Sequence, residues 1–252
     1  MRKADYSKLA ATYDSSRLAM DPHANVWLEA LSQRGEFQDG HRVLEVGCGT
    51  GRWTLALADR CRMVGMDPCW QMLAEAIVKS GAKAVDWVLG SAPQFPFLDD
   101  SFDRVLFILV IHHIEDREAT LKETFRVLKP GGRVLIRTCG HDYIRQYPLG
   151  EYFPGYREVE LSSFPEVGEL MDRMRMIGFD PVDSVPVRRE ITYSAEDYLR
   201  RVRNRFISTL DRIGEEKFRV GYERLSKELA GKESFTYTIE HEFVRGMKHR
   251  CK

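Results

Sequence analysis

Arg42-Val43-Leu44-Glu45-Val46-Gly47-Cys48-Gly49-Thr50-Gly51 is a short apolar β run that breaks into alternating glycines and opens onto the amphipathic stretch Trp53 to Asp59. The pattern reads as strand, tight loop, helix. Glycines at 47, 49 and 51 let the main chain take positive φ and let a ligand approach the backbone where a Cβ would collide. The helix behind the loop presents its unsatisfied N–H groups toward it.

Such a turn serves dinucleotides, nucleoside triphosphates and S-adenosylmethionine alike, so the flanking residues decide. A dinucleotide fingerprint needs a third glycine at the last position of G-x-G-x-x-G, and here that position is Arg52. No Lys-Ser or Lys-Thr pair follows, which removes a phosphate-cradling P-loop. What remains is E-x-G-x-G-x-G, with Glu45 inside the strand end. It resembles motif I of the class I S-adenosylmethionine-dependent methyltransferases. The resemblance implies that Glu45 lies near the methionine end of the ligand and that the loop glycines line methionine and ribose.

Downstream, the punctuation repeats at successive strand ends. Met63 to Met66 reads as a second strand ending at Asp67, 16 residues after Gly51, where a nucleoside site wants a carboxylate to accept both ribose hydroxyls. Asp67 also suits a helix N-cap. Pro68 fixes the turn, and a helix from Trp70 to Lys79 follows with Met72 and Leu73 inward. A third strand, Val85 to Leu89, leads into Gly90-Ser91-Ala92-Pro93-Gln94-Phe95-Pro96-Phe97-Leu98-Asp99-Asp100-Ser101-Phe102-Asp103. This segment resembles the family's G-D-A-x-x-L-P-F-x-D-x-S-F-D, with Ser91 in place of the acid that accepts from the adenine amino group. Arg104 to Val110 is a continuous apolar run, as a strand buried on both faces requires. It ends in Ile111-His112-His113-Ile114-Glu115-Asp116.

His112 and His113 thus stand at the carboxyl end of a strand, where functional groups gather in open α/β sheets. They are candidate proton acceptors with a suitable ordinary pKa, although the resemblance implies a structural role for one of them. After a helix from Arg117 to Leu128, Arg126-Val127-Leu128-Lys129-Pro130-Gly131-Gly132-Arg133 is similar almost letter for letter to the R-x-L-K-P-G-G-x of the methyltransferase type 11 group, which includes the menaquinone and ubiquinone methyltransferases. The matches run in order over roughly residues 43 to 138. They imply S-adenosyl-L-methionine as cofactor, S-adenosyl-L-homocysteine as product, and a cofactor site made of Tyr13, Arg17, Glu45, Gly47, Cys48, Gly49, Gly51, Asp67, Pro68, Met72, Ser91, Ala92 and Leu109. Tyr13 and Arg17 belong to Tyr13-Asp14-Ser15-Ser16-Arg17, which resembles a Y-D-x-x-R lid segment; packing of Tyr6 and Tyr13 against the domain is the other reading.

The chain has 252 residues, 43% hydrophobic and 30% charged, ordinary values for a globular protein. Lys plus Arg and Asp plus Glu both number 38, which leaves no overall electrostatic footprint for nucleic acid or an anionic membrane. No apolar run approaches the ~18 residues of a membrane span, and no apolar segment follows Met1-Arg2-Lys3; the expectation is a cytoplasmic protein. Five scattered cysteines without C-x-x-C argue for reduced thiols and no metal.

The expected architecture is one Rossmann-like α/β domain over residues 1–252, with a doubly wound seven-stranded sheet, mostly parallel, its last strand antiparallel as the resemblance implies. Residues 1–40 form an N-terminal helical cap, 41–138 the cofactor-binding core, 139–165 an aromatic insertion and 194–230 a helical lid. The insertion reads as a loop without periodicity whose Tyr143, Tyr147, Tyr152 and Tyr156 offer walls for an apolar or planar acceptor. The lid reads as two helices, the first with Tyr198, Val202, Phe206, Leu210 and Ile213 along one stripe and Arg200, Arg201, Arg203 and Arg205 on the rest. The expected activity is methyl transfer to a small-molecule acceptor by a monomer or homodimer, without nucleic acid or membrane. A non-catalytic cofactor- or partner-binding protein, or an RNA methyltransferase using the Arg200–Arg205 face, is the alternative.

Overall fold

In the computed structural model, which describes Ala10 and residues 24–249, the glycine-flanked apolar run is strand β1 (Arg42–Val46) near the middle of a seven-stranded sheet. The strand order is β3-β2-β1-β4-β5-β7-β6. From β1 the chain passes through α2 (Arg52–Leu57) to β2 (Arg62–Asp67), then through α3 (Trp70–Ser80) to β3 (Val85–Leu89) at one edge. It then crosses back to β4 (Phe102–Ile108) on the other side of β1, and through α4 (Arg117–Val127) to β5 (Leu128–Thr138). These five strands are parallel. β7 (Ser234–Lys248) runs antiparallel to β5 and to β6 (Phe179–Ser194), so the last strand in sequence is the antiparallel one, as expected. The reversal of winding between β1 and β4 opens a crevice at their carboxyl ends.

Both sheet faces are covered. Leu44, Val46, Val105, Phe107, Val134 and Ile136 pack on one side under α4 and α8 (Val167–Ile177). Alternate residues Val43, Leu106 and Leu135 pack on the other with Trp27 and Leu31 of α1 (Ala24–Gly35). The period of two along strands with apolar residues on both faces explains their continuous hydrophobicity.

In the insertion and the lid the elements differ from the sequence reading. The aromatic insertion is three short helices, α5 (His141–Gln146), α6 (Leu149–Tyr152) and α7 (Tyr156–Ser163). Pro148 and Gly155, the latter at φ 81°, occupy the caps between them, and segments this short show no helical period. The lid holds three helices, α9 (Ala195–Arg203), α10 (Thr209–Arg212) and α11 (Glu215–Leu229). The stripe Tyr198, Val202, Leu210 and Ile213 is buried in one cluster, but the chain turns at Asn204 and Arg205, where φ is 51°. The Arg205 guanidinium ends over the Phe218 ring at 4.0 Å and pairs with Glu215.

β6 and β7 pair along their length, from Phe179 with Lys248 to Ser194 with Ser234, whereas β5 stops at Thr138 opposite Glu242. The ribbon therefore projects past the carboxyl edge of the sheet. It carries Ile191, Tyr193 and Tyr237 into a second core shared with the insertion and lid.

Candidate active site

The glycine loop is fixed by the neighbouring strand end. Gly47 and Cys48 donate their amides to the Met66 carbonyl at 2.7 and 3.1 Å. The Gly49 amide donates to Asp67 Oδ2 at 2.8 Å, and the Cys69 amide donates to Asp67 Oδ1 at 2.8 Å. Two of the loop positions need glycine for different reasons. Gly47 has φ 70°, and a Cβ there would lie 2.3 Å from Val110 Cγ2; Gly49 has φ 55°, and a Cβ there would meet nothing within 4 Å among the described residues. The loop is thus packed at its base and open at its crown.

Two acids flank it. Glu45 is 2% exposed and accepts from the Thr54 hydroxyl in the first turn of α2. Burial outweighs that hydrogen bond and pushes its pKa up to about 8, so its carboxyl is largely protonated at neutral pH, and among the described residues no cation pairs with it. Asp67, 7% exposed, is also raised by burial, against the pull of its two amide donors. Each carboxylate oxygen of Asp67 keeps accepting capacity beyond one amide. An open crown, an acid with spare acceptor sites and a buried acid in want of a cation fit the ribose hydroxyls and amino group of S-adenosylmethionine.

The remaining predicted residues lie along the same edge. The Gly90 amide donates to the Asp67 carbonyl at 3.1 Å, which sets exposed Ser91 and half-buried Ala92 beside that acid. Met72 is buried in α3 and Pro68 is exposed at its approach. Leu109 follows β4 in the left-handed region at φ 53° while its amide donates to the Arg137 carbonyl at 2.9 Å, a conformation unusual for a branched side chain. Tyr13 and Arg17 lie outside the described residues.

His112 and His113 form a single 3-10 turn, Ile111–His113. The His112 ring stacks on Phe164 at 3.9 Å and contacts the His113 ring at 4.0 Å. Arg117 ties the turn to the Ser163 carbonyl while holding Ile111 at 3.1 Å, and the His141 ring meets the Phe164 carbonyl at 3.0 Å. His112 therefore sits as a packed spacer between the end of β4 and the insertion.

The four tyrosines separate. Tyr147 and Tyr156 are buried inside the second core, and Tyr152 lies at its margin. Tyr143 packs against the cluster of Cys139, Ile144 and Phe164, as Leu109 does, which brings it to the ends of β4 and β5. Burial holds the phenols of Tyr143, Tyr147 and Tyr156 well above their ordinary range, so they are proton-bearing donors at neutral pH. The arginine face of the lid is engaged internally: Arg200 pairs with Asp197, Arg203 donates to the Tyr222 hydroxyl at 3.1 Å, and buried Arg201 lies 4.7 Å over Tyr193.

Several contacts around and beyond the loop are not evident from the sequence. Thr54 holds Glu45; Trp87 of β3 underlies the loop at Gly51; Arg137 of β5 donates to His241 of β7; Glu160 accepts from Thr209 across α7 and α10.

A family described as a methyltransferase domain matches residues 44–136. The demethylmenaquinone methyltransferase of Geobacillus kaustophilus is 37% identical over 209 residues, covering 72% of this chain and 89% of the relative. A putative methyltransferase from an antibiotic biosynthesis pathway of Anabaena variabilis superposes with a TM-score of 0.74 at 21% identity, covering 88% of this chain and 96% of the other. Phosphoethanolamine N-methyltransferase 2 of Haemonchus contortus, in complex with phosphomonomethylethanolamine and S-adenosylhomocysteine, gives 0.63 at 18% identity, covering 97% of this chain and 58% of that one. The chain belongs to the class I S-adenosylmethionine-dependent methyltransferases. Its cofactor is S-adenosyl-L-methionine. Among the described residues no helix is long and apolar enough to cross a membrane.

Proposed function

We infer that this chain methylates a small-molecule acceptor by direct in-line transfer, with the acceptor entering between the end of β4 and the helical insertion. The observation that carries the reading is the apolar cluster of Leu109, Cys139, Ile144 and Phe164, bordered by Tyr143. It adjoins the glycine loop through Val110, which packs against Gly47, and so offers a dry, partly aromatic surface next to the cofactor residues. S-adenosylmethionine supplies, when bound, a methyl group on a sulfonium that is already an excellent leaving group.

The chain's own work is then alignment and exclusion of water. In this reading Asp67 accepts from the ribose hydroxyls, Glu45 takes the amino group, and Ser91 and Ala92 meet the adenine edge. Packing of His112 between Phe164 and His113 and the protonated state of the buried tyrosines favour a reaction without a dedicated base. The relatives' name, demethylmenaquinone methyltransferase, supports an apolar ring as acceptor. The internal pairing of the lid arginines weighs against RNA.

Incubation with S-adenosylmethionine bearing a labelled methyl group and a panel of quinols, catechols, small acids and amines tests this. Acceptor-dependent release of S-adenosylhomocysteine, lost in Asp67→Ala, is the expected result. Cofactor binding without transfer to any acceptor class, or transfer only to RNA, would overturn it.

A further inference from the structure

β6 is the outermost strand of the sheet on the side of β7, and its free edge is long. It pairs with β7 in unbroken register from Val182 with Gly246 to Ser194 with Ser234, and among the described residues no other strand lies beside it. Pro186 has no N–H to donate and fits such a strand where that position points away from the neighbour. The alternate residues Arg188, Glu190 and Thr192 then turn their main-chain N–H and C=O groups outward with it. Side-chain contacts agree: the hydroxyls of Thr192 and Thr236 meet at 2.8 Å and Arg188 pairs with Glu240 opposite. Such close approach marks positions that exchange no main-chain hydrogen bonds with the strand they face. The stretch Pro186 to Thr192 therefore presents an unpaired main-chain edge, a template for a further strand.

The side chains on this stretch decide which strand fits. Arg188, Arg189 and Glu190 are all exposed. Among the described residues Glu190 enters no ion pair, Arg189 reaches only the Arg188 carbonyl at 2.7 Å, and Arg188 engages Glu240 through Nε. A copy of the same strand, laid antiparallel about a two-fold axis at Arg189, sets Arg188 opposite the second copy's Glu190 and Glu190 opposite its Arg188. On the other face it sets Val187 opposite Ile191, and Val185, 40% exposed, opposite Tyr193. Charge meets opposite charge and apolar meets apolar. Moving the axis one step, to Arg188 or to Glu190, would set two arginines or two glutamates against each other. Arg189 of each copy faces its mate. Glu29 of α1 borders with Arg189 a groove of about 230 Å³ between α1 and the edge, and there supplies the countercharge.

We propose that this chain forms a homodimer by antiparallel pairing of its β6 edges about Arg189, so that one sheet runs through both copies. The interface is isologous, and each contact between Arg188 and Glu190 is made twice. One base and one acid at a spacing of two make the edge complementary to itself and repel a shifted copy, unlike an edge blunted by charges of a single sign. Pairing also braces the ribbon that carries Ile191, Tyr193 and Tyr237 into the second core. The proposal stands on the edge itself and does not depend on the identity of the methyl acceptor.

The test is sedimentation velocity of the full chain at concentrations up to about 100 µM, the affinity range of a weak but specific contact. The wild type is expected to show a dimer whose dissociation constant rises with salt, since exposed charge pairs are screened. Glu190→Arg removes no ion pair within the chain and sets a second arginine against Arg188; it should raise the dissociation constant at least about tenfold. Arg188→Glu should do the same. An equimolar mixture of the two variants restores opposite charges at both pairs and should dimerise again, with circular dichroism confirming that each variant is folded. A wild type that stays monomeric overturns the proposal without any variant. A dimer unmoved by Glu190→Arg overturns it in favour of another face, a result that holds even where Arg188→Glu, which sets an acid against Glu240, does not fold. Weakening in both folded variants without recovery in the mixture overturns the register about Arg189.

Discussion

The amide of Gly49 donates to Oδ2 of Asp67 at 2.8 Å, so the crown of the glycine loop is oriented by the acid at the end of the neighbouring strand. One side chain therefore sets the shape of the loop and, in the proposed site, accepts from the ribose hydroxyls. Asp67→Ala removes the loop anchor and the acceptor of the hydroxyls together. S-adenosylhomocysteine affinity is expected to fall at least about tenfold, since hydrogen bonds to a charged group contribute ~1.5–3 kcal/mol. Calorimetry that finds an unchanged affinity would remove Asp67 from the site.

Gly47 and Gly49 separate stability from binding. Gly47→Ala combines a left-handed backbone with a Cβ 2.3 Å from Val110 and should cost roughly 2–4 kcal/mol in urea unfolding. Gly49→Ala meets no atom within 4 Å, so only the backbone penalty of about 1–2 kcal/mol applies. Its methyl group instead enters the open crown, and cofactor affinity should drop more than in a Gly47→Ala protein measured below its unfolding transition. Equal unfolding costs for the two would contradict the packing described.

Glu160 gives the unliganded protein a pH signature. Buried in α7 against Thr209, its carboxyl is pushed up to about 7 from an ordinary 4.5, burial outweighing the Thr209 hydrogen bond. The folded state then holds a proton that the unfolded chain releases, so stability falls as pH rises from about 4.5 to about 7 and levels off above. A raise of this size corresponds to on the order of 3 kcal/mol. Glu160→Gln does not titrate, and its urea midpoint should gain on the wild type between pH 5 and 7.5. Parallel pH profiles would show that Glu160 is already ionised in the fold.

The proposed contact of Glu45 with the ligand's ammonium links cofactor binding to protons. With its pKa at about 8 through burial, the carboxyl must ionise to hold the ligand's ammonium, and binding releases a proton. Affinity for S-adenosylhomocysteine should therefore rise with pH from about 6 to 8 and become flatter in Glu45→Gln. Titrations in buffers of different ionisation enthalpy would report the proton directly; no release at pH 7 would contradict this role.

The core from Val43 to Thr138 is legible because each strand is a short apolar run cut off by Gly, Pro, Asp or His, and those cuts form the candidate site. Glu45, Gly49 and Asp67 fall together for that reason. The remainder depends on contacts far apart in sequence. The break at Arg205 follows from its seat over Phe218 and its pairing with Glu215, which no local periodicity reports. Arg137 and His241 meet only because β7 returns between β5 and β6. Helices α5 to α7 are too short to show a period, and their burial of Tyr147 and Tyr156 is decided by the ribbon and lid they pack against.

The most direct test of the account is calorimetric titration of the wild-type protein with S-adenosylmethionine, S-adenosylhomocysteine and NAD side by side. Saturable binding of the first two with none of NAD is the predicted result. Binding of NAD, or of none of the three, would contradict a loop and acid pair built for S-adenosylmethionine.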